Sequence, residues 1–200
     1  MPLRTGDILL FSERPPCGIF ACIDCAIRTC TASNYSHTGI VIVDPPWTAP
    51  GTYVWDSSLH KIPGPEDRKP HFGIQLVPIR EYLDNFKGKQ TIYKRSPIDE
   101  ETYACFHNEF LTQMHDKVYG KHYDLNPVHW IAGLFHIFVP RSTKSFFCSA
   151  FVSFFLCQAG VLDANTDWTI VSPANLSTTS KRLHWKHEYG PDTPITDDDI

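Results

Sequence analysis

Residues 145–160 read SFFCSAFVSFFLCQAG, and the fold turns on this stretch. Phe146, Phe147, Ala150, Phe151, Val152, Phe154, Phe155 and Leu156 place apolar side chains on nearly every face of a helix beginning at Cys148. A helix that is apolar all round belongs inside a core. Gly160 is a natural stop. Ser145, Cys148 and Ser149 gather at the opposite end, where the helix dipole is positive and favours thiolate over thiol. Taken alone, Cys148 reads first as one more small residue in a core helix, because free cysteine is among the most buried residue types. Whether it is a nucleophile depends on the residues that the rest of the chain supplies.

Two hundred residues, 42% of them hydrophobic and 13% aromatic, support a sizeable core. We expect a single domain over 1–180, followed by a polar, flexible tail over 181–200. The formal net charge of −4 and the lack of a long basic run argue against nucleic acid as a partner. The N-terminus, MPLRTGDILLF, lacks the layout of a secretory signal. The longest apolar runs fall short of the ~20 residues a bilayer span needs, so a cytoplasmic protein is expected. Seven cysteines without an export signal are expected as free thiols in a reducing compartment. Cys17, Cys22, Cys25 and Cys30 crowd together. Their segment reads as a helix that sets Cys17 and Cys30 near opposite ends, so packing is preferred to a zinc site. No metal or cofactor is expected.

Working outward along the chain, GDILLF at 6–11 and IVIV at 40–43 have the runs of buried strands. TYVWD at 52–56 follows a Pro-rich turn and is expected as the hairpin partner of 40–43. A first helix is expected over 18–31, an exposed loop over 61–71, and short strands over 74–77 and 91–94. A helical turn follows Pro78, one helix covers 99–118, and YGKHYD at 119–124 is a turn. SPANL at 172–176 is a helix start. This order predicts an α+β fold with a mainly antiparallel sheet packed against the buried helix.

A cysteine nucleophile needs a base, and the base needs an orienting group. His37 precedes the 40–43 strand with Ser36 and Gly39 beside it, and Asp56 ends the next strand. In such a hairpin the Asp56 carboxylate can hold one imidazole nitrogen while the other faces Cys148. Read singly, His37 is first a surface residue at a strand start, and Asp56 first a strand terminator.

GDILLF, YSHTGIVIV, YVWDSS, GIQLVPIREYL, GKHYDL, FFCSAFVSFFLCQAGVL and SPANL occur in that order between residues 6 and 176. This series resembles the circularly permuted branch of the NlpC-like papain-fold superfamily. That branch includes YiiX- and YaeF-like proteins and poxviral relatives, with lecithin:retinol acyltransferase-like enzymes further off. The resemblance implies a permuted papain-like fold with Cys148 as nucleophile, His37 as general base and Asp56 in the orienting position, where relatives often carry Glu. It also implies that Tyr123 borders the site; Ser36 and Ser149 are expected beside substrate or oxyanion. FCSA around Cys148 departs from the Asn-Cys-Glu-His-like pattern of the acyltransferase subgroup.

The implied activity is hydrolysis of an amide or ester acyl bond in a peptide or lipid through a thioester. The alternatives are acyl transfer to or from lipid, and a catalytically silent binding protein. The aromatic segment 129–139 reads as core, lid, acyl pocket or peripheral lipid contact.

Overall fold

The computed structural model describes residues 1–13, 35–58, 62–86, 90–124 and 142–200. The expected helix at 18–31, the four cysteines at 17–30 and the aromatic segment 129–139 lie outside the described residues. The architecture is α+β, built on a mixed sheet.

The strands are β1 (Ile8–Glu13), β2 (Tyr35–Val43), β3 (Thr52–Ser58), β4 (Gly73–Pro78), β5 (Gln90–Arg95), β6 (His122–Tyr123), β7 (Ser145–Phe146) and β8 (Thr193–Pro194). They lie in the order β7-β6-β4-β3-β2-β1-β5-β8. All neighbours are antiparallel except β6 and β7, which run parallel. The helices are α1 (Ile79–Phe86), α2 (Glu100–Ala104), α3 (Asn108–Val118) and α4 (Cys148–Gln158). Short 3-10 turns occur at Trp168–Ile170, Pro173–Leu176 and Asp197–Asp199.

The sheet is buried on both faces, which explains why ILLF and IVIV are continuously apolar rather than alternating. Successive side chains of a strand point to opposite faces. Ile8, Leu10, Ile40, Ile42, Tyr53 and Trp55 therefore share one core cluster with the phenylalanines of α4. Leu9, Phe11, Val41, Val54 and Val77 join Tyr82 and Phe86 of α1 in a second. Trp55 packs edge-on to Phe151 and Phe155, with ring centroids 5.3 and 5.8 Å apart. Every residue of α4 from Cys148 to Cys157 is buried. Gly160 ends the helix segment at φ +78, a conformation glycine adopts without strain.

Four expectations are revised, three within the strands and helices and one at the C-terminus. β2 begins at Tyr35, so His37 lies within the strand rather than before it. The pairing with β1 shifts register between Phe11 and Ser12, and Ser36 takes up the extra position. The helix expected over 99–118 divides in two. Asp99 caps α2 by accepting from Thr102 N at 2.7 Å, and His107 caps α3 through Nδ1 by accepting from Phe110 N at 3.2 Å. Within 119–124, residues His122–Tyr123 pair with β4 and β7.

Residues 181–200, expected as a polar tail, run back across the fold. β8 pairs with β5, Tyr189 is buried, and Lys94 Nζ reaches the buried Asp199 carboxylate at 2.5 Å. Arg95 is buried beneath this segment, donating to the carbonyls of Leu176, Gly190 and Tyr189 at 2.7, 3.0 and 3.4 Å.

Candidate active site

The site forms where β2 begins and β3 ends, at one end of the sheet. The β2–β3 ladder pairs Ile40 with Trp55, and its register continues to Gly39 opposite Asp56. Gly39 permits this close approach. A Cβ there would lie 2.7 Å from Val54 Cγ1 and 3.4 Å from Asp56 Cβ. By alternation His37 and Asp56 both point toward the second core cluster, where α1 covers the sheet.

His37 Nε2 lies 2.9 Å from Asp56 Oδ2 and 2.9 Å from the Tyr82 hydroxyl. Tyr82 also donates to Asp56 Oδ2. The Asp56 side chain is fully buried, and its Oδ1 finds no hydrogen-bond partner among the described residues. Phe11 and Phe86 flank the imidazole, with ring centroids 5.3 and 6.5 Å away. The His37 side chain keeps 15% exposure.

Cys148 is the first residue of α4, whose body packs on the other face of the sheet, and its side chain is close enough to act on the His37 imidazole by charge and hydrogen bonding. The approach is fixed by Ser57, the neighbour of Asp56, which donates to the Phe146 carbonyl at 2.6 Å. Ser149 secures the same turn by donating to the Val171 carbonyl at 2.6 Å. The N-cap residue Phe147 makes no side-chain capping bond. The first N–H groups of a helix have no partner within it. The tip of α4 therefore carries the thiol beside backbone donors that no N-cap side chain occupies.

Burial works against a charged imidazole at His37. Cys148 and Asp56 outweigh it by charge and by hydrogen bonding, and the pKa rises from 6.5 to about 10. Burial also raises Tyr82 well above its ordinary value, reinforced by Asp56 and then Cys148, so the phenol holds its proton.

The structure thus brings Cys148, His37 and Asp56 together. Tyr123 sits on β6 opposite Phe146 in the β6–β7 ladder, which sets it two residues from Cys148 across the strands. Its backbone N–H is bonded to Phe72 at 3.1 Å. Ser36 is buried, and its hydroxyl finds no partner among the described residues. The Ser149 hydroxyl proton is committed to Val171. A cleft of about 570 Å³ lies beside the Ser149 anchor, lined by Ile170, Val171, Asp163, Asp167, Arg182 and His184 among others.

Tyr82 is the residue that sequence reading passed over. Its spacing with Ile79 and Phe86 marks the buried face of α1, but nothing local shows that its hydroxyl meets groups 26 and 45 positions away. Among the described residues, no group of three or more His, Cys, Asp or Glu is placed to hold a metal ion. Nor is any helix among them long and apolar enough to cross a membrane. A scan against protein-family models and a comparison with curated proteins both returned no match for this chain.

Proposed function

We propose that this chain is a cysteine hydrolase of the circularly permuted papain-like type, acting on an amide or ester acyl bond of a peptide or lipid. The observation that carries the reading is the double hold on His37, with Cys148 on one side and buried Asp56 on the other. A histidine serving only the core would not need both.

In the proposed cycle His37 Nδ1 takes the Cys148 proton, since Nε2 is occupied by Asp56 and Tyr82. The sulfur attacks the carbonyl carbon, and the C=O π pair moves onto oxygen. The uncapped N–H groups at the start of α4 receive that oxyanion. Losing one such donor typically slows turnover by about 10²–10³-fold. Collapse breaks the C–N or C–O bond, the leaving group takes the proton from His37, and a thioester remains. Water then gives its proton to His37, attacks the thioester and releases the acid, restoring the thiol. Asp56 accepts from the ring and stabilises the imidazolium.

The test is alkylation with iodoacetamide at mildly acidic pH, read residue by residue. Cys148 should react ahead of the other six thiols, and His37→Ala should abolish that preference. Full labelling of Cys148 in His37→Ala would sink the ion-pair reading. Turnover against a mixed peptide and lipid-ester panel, with Cys148→Ala as the blank, would then sort the substrate class.

A further inference from the structure

The Tyr82 hydroxyl meets both polar partners of the site at once, and counting hydrogens settles what it does there. A phenol has one proton and lone pairs on its oxygen. That proton is given to Asp56 Oδ2, so the oxygen facing His37 Nε2 at 2.9 Å can only accept. Asp56 Oδ2, also 2.9 Å from Nε2, is an acceptor as well. Both neighbours therefore require hydrogen on Nε2, and the neutral ring keeps its lone pair at Nδ1, the nitrogen assigned to the thiol in the proposed cycle.

We propose that Tyr82 is a positioning residue of this site, a second acceptor for the Nε2–H of His37 whose direction is set by Asp56. It touches no reacting atom and acts through His37. Two aromatic neighbours hold it in place, Phe11 and Phe86, with ring centroids 5.6 and 5.1 Å from its own. The arrangement has an unusual dependence. Tyr82 serves His37 only while Asp56 is present to take the phenol proton. Without Asp56 the phenol turns its proton to Nε2, the ring hydrogen moves to Nδ1, and the base no longer faces the thiol.

The inference rests on the catalytic reading for its meaning, but its first test does not. In Cys148→Ala, ring-nitrogen NMR of neutral His37 should show the Nε2–H tautomer; Nδ1–H there would overturn the proposal. The second test uses iodoacetamide rates at Cys148. Tyr82→Phe should slow alkylation by about 2–10-fold, the range for one neutral hydrogen bond. The double variant Asp56→Ala/Tyr82→Phe should react several-fold faster than Asp56→Ala alone, because the misdirected phenol proton is gone. A residue that merely filled space would give additive losses. A double variant no faster than Asp56→Ala would overturn the proposal. Unselective alkylation of the wild-type chain would instead count against the hydrolase reading, leaving the tautomer result to decide on Tyr82.

Discussion

Replacing Cys148 by Ser should lower the pKa of His37, and this is the sharpest consequence of the geometry. Two groups raise it: Cys148 is the larger by charge, and Asp56 and Cys148 both add hydrogen bonds. Together they overcome burial and carry the imidazole from 6.5 to about 10. An opposite charge at contact distance typically shifts a neighbour by about 1–3 units. Serine keeps the shape and a hydrogen-bonding atom but removes the thiol's electrostatic pull on the ring, so the His37 midpoint should fall below about 10 while Asp56 still holds it up. For His37 taken alone the linkage has a definite sign. Its raised folded pKa stabilises the fold fully below the unfolded value of 6.5, and that contribution is lost as pH rises through about 10. Ring-nitrogen NMR over pH 6–11 measures both proteins, with His37→Gln assigning the signal. An unchanged midpoint in Cys148→Ser would refute the claim that the thiol acts on this ring. A wild-type midpoint near 6.5 would refute the whole account of the site.

Gly39→Ala would place a methyl 2.7 Å from Val54 Cγ1, a stiff β-branched neighbour, so β2 and β3 must part. We expect about 1–3 kcal/mol of destabilisation in urea titration, together with slower Cys148 alkylation as Asp56 is carried away from His37. Arg95→Met removes three charged hydrogen bonds to carbonyls and the cation–π contact with Trp185 at 4.6 Å. The loss should be on the order of 3 kcal/mol, with earlier proteolysis within 181–200 and little effect on the His37 midpoint, since Arg95 serves the C-terminal segment.

Much of the fold was legible because its signals are local. IVIV and TYVWD announce strands by composition, and the α4 segment announces its own beginning, burial and glycine stop. Polarity hid the rest. Tyr35, Ser36, His37 and Thr38 do not read as strand, yet β2 runs through them because pairing with β1 resumes beyond a register shift. The break between α2 and α3 depends on His107 turning its ring onto Phe110 N, which helical spacing alone does not reveal. The segment 181–200 looks solvated by composition, but Tyr189 and Asp199 are buried, with Gly6 and Met1 from the opposite end of the chain and Lys94 as partners.

The site shows the same division more sharply. Three of its members could be singled out because a nucleophile requires a base and the base an orienting group, and because the motif order resembles a known branch. That reasoning seeks residue types and stops once each role has a candidate. The number of hydrogens on Tyr82 Oη is a different kind of constraint, present only when Asp56 and His37 meet one oxygen. The pairing of the two sheet faces is likewise invisible in the sequence. His37, Asp56 and Tyr82 belong to the face that α1 covers, whereas Cys148 comes with the helix on the other. The thiol can join them only because it is the first residue of α4, pinned at the sheet end by Ser57 and Ser149. A cysteine one turn further along would be sealed among the phenylalanines, as Val152 is. The position of the thiol at the helix tip, more than its residue type, is therefore what makes chemistry available to it.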